Sequence, residues 1–218
     1  IDKSGTGYTL TATASGLTGV ISAPFAINAG PVTQLVFTAQ PVTSTAGTTL
    51  PPVQIAGGDS LGNTVADFTD AVTLTIGTNP GGGTLSGTTT VAAVAGVANF
   101  STLSIDKSGT GYRLAATAGS LTRTSGAFSI TPGTATQLGF TVQPATTTAG
   151  AVITPSVRVA GLDAFGNTAT SFTGGWFTDG DGPQGLGQPI LGQTVFYLNL
   201  MQLTNLHPLP SPGVHGRF

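Results

Sequence analysis

Aspartate supplies every carboxylate side chain of this sequence and is the first residue type to weigh for chemistry. Asp59 and Asp163 occupy the same place in two copies of a D-x-x-G-N-T segment, and Asp179 and Asp181 form an Asp-Gly-Asp-Gly run. Carboxylates at short spacing are ligands that Ca²⁺ takes, but the spacing of an EF-hand loop and its closing bidentate Glu are missing. Turns are therefore the favoured interpretation, with a solvated turn expected at Asp59, and these four residues are only weak metal candidates.

Other catalytic arrangements are missing from the sequence. His207 and His215 lie eight positions apart in a proline-rich tail, whereas a zinc site needs three or four ligands. There is no Cys, and no G-x-S-x-G segment that would place a nucleophilic serine at a strand end. The sequence therefore predicts a protein that is not an enzyme, without catalytic residues and without a cofactor.

Aromatic side chains near the C-terminus offer a different kind of site. Trp176, Phe177 and Tyr197 lie outside the repeat pattern described below, and Trp176 is the only Trp of the chain. Exposed aromatic rings arranged as a flat platform would bind a ligand such as a carbohydrate. The alternative function is accordingly a carbohydrate-binding or accessory module of a secreted enzyme.

Composition narrows the possible partners. Only 6% of the residues are charged and the formal net charge is −2, so there is no basic stripe of the kind that binds nucleic acid. No apolar run reaches membrane-spanning length. A chain without Cys is compatible with a secreted bacterial protein. Because Ile1 leads into no apolar signal segment, we expect an N-terminus that was processed or cut from something longer.

The elements that would position any site come in repeats. Residues 1–27 match residues 105–130, and residues 33–69 match residues 136–173, at an offset of 103 or 104 positions throughout. A period near 100 residues is too long for a solenoid turn and suits one β-sandwich domain.

The phase of the repeat predicts four segments. Residues 1–31 are the closing strands of a preceding repeat, residues 32–133 a complete sandwich, and residues 134–174 the opening strands of a following repeat. Residues 175–218 form a divergent tail with one strand candidate at 194–203.

Strands are indicated by strict alternation of apolar and polar residues. In the segment 34–40, Leu35, Phe37 and Ala39 share one face, and in the segment 111–118 Tyr112 and its alternate neighbours do the same. No apolar stripe of helical period persists. The predicted fold class is all-β, with Greek-key immunoglobulin-like β-sandwich repeats and essentially no helix.

Two segments carry a family resemblance. "GLDAFGNTATSF" and "GVANFSTLSIDKSGTGYRLAATA" resemble the bacterial immunoglobulin-like repeats of invasin and intimin type, which have a D-x-x-G-N turn after an early strand and a G-x-A-x-F…L…G-x-Y-x-L-x-A run near the end. The resemblance covers residues 1 to about 173. It implies a non-catalytic structural or adhesive protein, extracellular or at the cell surface, acting as stalk, spacer or adhesive unit.

The segments at 1–31 and 134–174 are complementary halves of one sandwich. Apolar faces and unpaired strand edges associate readily, so the closing strands of one molecule are expected to complete the opening half of the next. Such a contact builds a head-to-tail filament from copies of the chain. Neighbouring immunoglobulin-like repeats are the other expected partners, together with a cell-surface or carbohydrate ligand, and a fragment with frayed ends is the alternative to the filament.

Overall fold

The computed structural model describes residues 1–148, 151, 154–156 and 158–172. A boundary between Gly133 and Thr134 divides the chain into two units. The described residues contain strands and turns and no helix, which confirms the predicted all-β class. Within this part of the chain there is accordingly no helix that is long and apolar enough to cross a membrane.

Residues 1–31 form four short strands in two antiparallel ladders. Strand β1 (Gly5–Tyr8) pairs with β4 (Phe25–Ile27), and β2 (Thr11–Ala12) pairs with β3 (Val20–Ile21). Their sequence recurs in the closing part of the middle repeat, residues 32–133, where the matching residues also pair as strands.

The middle repeat contains two larger sheets. The first has the strand order β11-β7-β5, and the second has the order β10-β8-β13-β15-β6 with β14 on β13. Neighbouring strands are antiparallel except β15 and β6, which are parallel, while β9 and β12 pair separately. The strands are β5 (Gln34–Ala39), β6 (Ser44–Thr45), β7 (Val53–Gly58), β8 (Ala71–Thr78), β9 (Leu85–Ser86), β10 (Thr90–Ala92), β11 (Val97–Phe100), β12 (Ser104–Ile105), β13 (Gly109–Ala118), β14 (Leu121–Thr124) and β15 (Phe128–Thr131).

Both sheets contribute to one hydrophobic core. Leu35 and Ile55 come from the first sheet, and Leu74, Tyr112 and Leu114 come from the second. Burying each such side chain stabilises the fold by about 1.5–3 kcal/mol. The predicted alternation is thus confirmed as the pattern that fills a β-sandwich core, whereas the Greek-key immunoglobulin-like detail stays a prediction.

Strand β5 contains a bulge. The register of β5 against β7 shifts between Phe37 and Ala39, so Phe37 lies opposite Ile55 while Ala39 lies opposite Gln54. A bulge of this kind places an extra residue on one strand. Ala39 is half-buried between the exposed Thr38 and Gln40, and Phe37 belongs to the core, so the predicted alternation of burial continues past the bulge.

The described part of the second unit repeats the first sheet. Strand β16 (Gln137–Val142) pairs with β17 (Arg158–Leu162), as β5 pairs with β7. Leu138 and Phe140 remain 56% and 50% exposed. Their equivalents in the middle repeat, 103 positions earlier, are the core residues Leu35 and Phe37.

Candidate functional site

A hydrogen-bonded turn follows strand β7. The Oδ1 atom of Asp59 accepts hydrogen bonds from the backbone N–H groups of Leu61 at 2.9 Å and Asn63 at 2.8 Å. Gly62 has a φ of 79°, a left-handed conformation that glycine adopts without a steric penalty. The D-x-x-G-N sequence therefore specifies this turn locally, since the Asp caps the turn amides and the Gly permits the reversal.

The second carboxylate oxygen of Asp59 reaches outside the turn. Its Oδ2 atom accepts hydrogen bonds from the side-chain Nδ2 of Asn63 at 2.9 Å and from the backbone N–H of Gly30 at 3.0 Å. Gly30 lies in the segment that joins β4 to β5. The buried Asp59 thereby ties the linker after residues 1–27 to the turn.

Asn63 extends the connection to the N-terminal residues. Its Oδ1 accepts a hydrogen bond from the backbone N–H of Ser4 at 3.1 Å, and its Nδ2 donates to the backbone carbonyl of Asp2 at 3.0 Å. Together with the bond to Asp59, these contacts use both N–H groups and the oxygen of the amide. We call residues 2–4 the closing loop, residues 59–63 the Asp59 turn, and the loop, the turn and Gly30 together the clasp.

Tyr8 holds the closing loop from within its own segment. Its hydroxyl donates a hydrogen bond to the backbone carbonyl of Lys3 at 3.0 Å, and its ring lies against Phe25 with centroids 6.2 Å apart. Lys3 is the residue between the two that Asn63 contacts. A Cβ atom at Gly5 would lie 3.3 Å from the Tyr8 ring, so glycine allows the ring its close approach to the backbone.

The electrostatics of the clasp favour a charged carboxylate. The side-chain hydrogen bond from Asn63, followed by the backbone hydrogen bond from Gly30, lowers the pKa of Asp59 from 3.8 to about 2, although burial acts in the opposite direction. Hydrogen bonds to the charged form thus outweigh the cost of burying it. The carboxylate is ionised at any pH well above 2 and is then a strong acceptor.

The turn geometry recurs in the second unit. Asp163 Oδ1 accepts hydrogen bonds from the backbone N–H groups of Phe165 at 2.9 Å and Asn167 at 2.8 Å, and its Oδ2 accepts from Asn167 Nδ2 at 2.9 Å. Asp163 and Asn167 are both buried. The repeated D-x-x-G-N letters thus correspond to a repeated three-dimensional turn.

The closing loop also has a counterpart, in the middle repeat. The hydroxyl of Tyr112 donates to the backbone carbonyl of Lys107 at 2.8 Å, and the Tyr112 ring lies 6.0 Å from that of Phe128. Tyr112 is fully buried, whereas Tyr8 is half-buried. The tyrosine-to-loop bond therefore forms in both settings.

The structure gives Asp59 and Asp163 a role in turns. Both oxygens of Asp59 face N–H donors, whereas a cation would need lone pairs directed at it. The described residues contain no group of three His, Cys, Asp or Glu side chains placed to hold a metal ion. The expectation of a solvated turn at Asp59 was wrong, because the carboxylate is buried by its hydrogen-bond partners.

The remaining candidate site residues lie outside the described residues. They are the possible metal ligands Asp179 and Asp181, the possible ligand platform of Trp176, Phe177 and Tyr197, and the two histidines, His207 and His215. The strand candidate at 194–203 also lies there. These assignments stay predictions.

A shallow open cavity of about 490 Å³ lies at the side of the middle repeat, lined in part by Asp67, Phe68, Asp70, Ser120 and Leu121. Its lining contains no His, Lys, Arg or Cys. The cavity therefore offers neither His nor Lys as a general base for the Ser120 hydroxyl.

Comparison with known proteins adds two solved structures. No family model and no curated protein matches this sequence. The chain is similar to domains 4–9 of the surface layer protein SbsC, at 17% identity and a TM-score of 0.36 over 71% of this chain and 23% of that one. It is also similar to domains 1–6 of SbsC, at 16% identity and a TM-score of 0.35 over 72% and 19%. It thus spans less than a quarter of either structure.

Sequence reasoning missed the roles of Asn63, Ser4 and Gly30. A signal for two of the three was present, because D-K-S-G and D-x-x-G-N-T recur at the same offset of 104 positions. Two motifs that recur together are candidates for contact in space. Considering the D-x-x-G-N motif by itself, as a turn, overlooked that it binds the D-K-S-G segment.

Proposed function

We propose that this chain is a non-catalytic extracellular structural protein built from immunoglobulin-like repeats of the bacterial surface type, joined by the clasp. The observation that carries the proposal is the set of three hydrogen bonds from the segment before the middle repeat to the Asp59 turn, made by Asp2, Ser4 and Gly30. The polar groups of the turn are thereby used for connection rather than for holding a substrate.

The low charge of the chain supports a structural role. Six cationic and eight acidic residues are spread over 218 positions. The outward residues of β8 and β13 include several threonines, as expected for strands with one face in a core and one in water. A surface of hydroxyl groups offers few Lys or Arg side chains for proteases that cleave after a cation, which suits an exposed spacer.

Self-association is the finer part of the proposal. Leu10 and Ile21 of the closing strands are 61% and 66% exposed, whereas Leu114, the equivalent of Leu10, is fully buried. In the middle repeat, Leu114 shares its core with Leu35 and Phe37, whose second-unit equivalents are also exposed.

The repeat itself thus indicates what covers each exposed face. We propose that strands β16 and β17 of a second copy of the chain cover the exposed apolar face that contains Leu10 and Ile21. Repeated contacts of this kind between unlike surfaces make a head-to-tail filament. Adhesion would be a property of such an assembly at the cell surface.

Location on the producing cell tests the proposed function. Antibodies raised against the purified chain are expected to label intact cells, and an external protease is expected to remove that labelling. A cytoplasmic protein labelled only after lysis serves as the matched control. Labelling that requires lysis for this chain as well would contradict the proposal.

A further inference from the structure

We infer that the Asp59 turn is a docking site for the closing loop of a preceding immunoglobulin-like repeat, and that it recognises the backbone shape of that loop, which Tyr8 sets, rather than its side chains. The inference rests on the proposed function, because it names the partner of the clasp. It assigns Asn63 as the recognising residue and Tyr8 as a positioning residue.

Backbone recognition follows from the atoms in contact. Asn63 contacts the carbonyl of Asp2 and the N–H of Ser4, and Asp59 contacts the N–H of Gly30. All three are main-chain groups. The residues Asp2 and Lys3 are exposed, so the amide of Asn63 meets the loop without using their side chains.

The shape of the loop depends on Tyr8. A main-chain carbonyl and N–H two residues apart can both face one amide only if the residue between them is held in place. The Tyr8 hydroxyl provides that restraint through its bond to Lys3. Tyr8 reaches this position from β1, where Gly7, with a φ of 79°, accompanies the register shift between Gly5 and Tyr8.

The internal hydrogen bonds of each half of the clasp recur at an equivalent place in the chain. The Asp163 turn has the same internal hydrogen bonds as the Asp59 turn, and the Tyr112–Lys107 bond has the same form as the Tyr8–Lys3 bond. Each half is held by hydrogen bonds within its own segment, which limits the conformational entropy lost on docking. A joint of this kind would accept any repeat that presents a closing loop of this shape.

Hydrogen exchange at single amides of the full chain tests the inference. In the wild type, the amides of Ser4 and Gly30 are expected to be protected. Replacing Asn63→Ala should speed exchange at Ser4 by roughly two- to tenfold, since it removes the hydrogen-bond acceptor of that amide. The amide of Leu114, bonded to Ser125 Oγ at 2.9 Å inside the middle repeat, should keep its protection and so shows that the fold is intact.

Tyr8→Phe separates positioning from contact. It removes only the hydroxyl, which does not touch Ser4 or Asn63, and should nevertheless raise the exchange rate of Ser4. Tyr112→Phe is the matched control and should leave Ser4 unchanged. If Tyr8→Phe leaves Ser4 as protected as in the wild type, Tyr8 has no positioning role and that part of the inference fails.

Side-chain and segment replacements test whether the Asp59 turn recognises the main-chain groups of the closing loop or its side chains. Asp2→Ala, Lys3→Ala and the exchange of residues 1–27 for the sequence of residues 105–130 should all preserve the protection of Ser4. Loss of protection in Asp2→Ala or Lys3→Ala equal to that in Asn63→Ala would overturn backbone recognition. Cell labelling is measured independently, so a surface-exposed protein with side-chain recognition would refute the inference and leave the proposed function standing.

Discussion

Asn63 and Ser4 are 59 positions apart in the sequence, yet the side-chain amide of the first accepts a hydrogen bond from the backbone N–H of the second at 3.1 Å. This contact joins the N-terminal segment to the turn that follows β7. Two motifs that are separate in the sequence therefore form one joint in the folded chain.

Removing the charge of Asp59 should destabilise the first unit. In Asp59→Asn, an NH₂ group takes the place of one carboxylate oxygen. It then faces N–H groups whose hydrogen bonds that oxygen had accepted. A buried donor without an acceptor is costly. We expect a lower Tm by differential scanning calorimetry. Asp67→Asn, at an exposed position in the next turn, is the control, and an equal fall in both variants would contradict the assigned role.

The same residue predicts a pH dependence. The pKa of Asp59 is about 2 in the folded chain against an ordinary value of 3.8, so folding favours the ionised form. This contribution is fully present above about pH 4, and protonation removes it as the pH falls from about 4 to about 2. The difference in Tm between the wild type and Asp59→Asn should therefore shrink over that range. A difference that stays constant down to pH 2 would exclude the lowered pKa as its source.

Two equivalent leucines should differ in their contribution to stability. Leu114 is fully buried, whereas Leu10, 104 positions earlier, is 61% exposed. Leu114→Ala should lower the free energy of unfolding by about 2–5 kcal/mol, as expected for a cavity in a packed core. In the dilute, monomeric chain, Leu10→Ala should change it far less. Urea denaturation of both variants at that dilution, followed by tyrosine fluorescence, is the measurement, and similar losses would mean that the Leu10 face is covered within a single chain.

Association between copies can be trapped because the chain has no native Cys. A Leu10→Cys chain mixed with a Leu138→Cys chain should form a disulfide-linked heterodimer under mild oxidation, since the equivalents of both residues share one core in the middle repeat. Thr11→Cys replaces Leu10→Cys in the control, because Ala115, the equivalent of Thr11 in the middle repeat, does not belong to the core. Light scattering of the unmodified chain should show species larger than a monomer. A monomer throughout the concentration series, without heterodimer, would rule out the filament.

The carbohydrate-binding alternative predicts retention on insoluble polysaccharides that Trp176→Ala abolishes. The structural function predicts no retention for either form. Pull-down on cellulose, chitin and xylan, with protein measured in the supernatant, distinguishes the two. Phe165→Ala, at an exposed aromatic position in the Asp163 turn, controls for non-specific loss of an aromatic ring.

Local features of the fold could be predicted because neighbouring residues determine them. Alternation places Tyr112 and Leu114 on the core face of β13, and the Asp59 turn closes through hydrogen bonds within five residues. The bulge after Phe37 could not be predicted, since it depends on how β5 pairs with β7. The exposure of the turn was misjudged for a related reason: what buries Asp59 includes a residue 29 positions away.

The comparison of Leu10 with Leu114 distinguishes the features that the local sequence determines from those that depend on tertiary structure. Both lie in nearly identical stretches, and in both the backbone N–H bonds to a serine hydroxyl in the closing segment, Ser22 and Ser125 respectively. Local sequence therefore determined the same hydrogen bond twice. Burial differs because it requires a second sheet with strands distant in the chain, which surrounds Leu114 and not Leu10. The same dependence on distant residues made the clasp visible only in three dimensions.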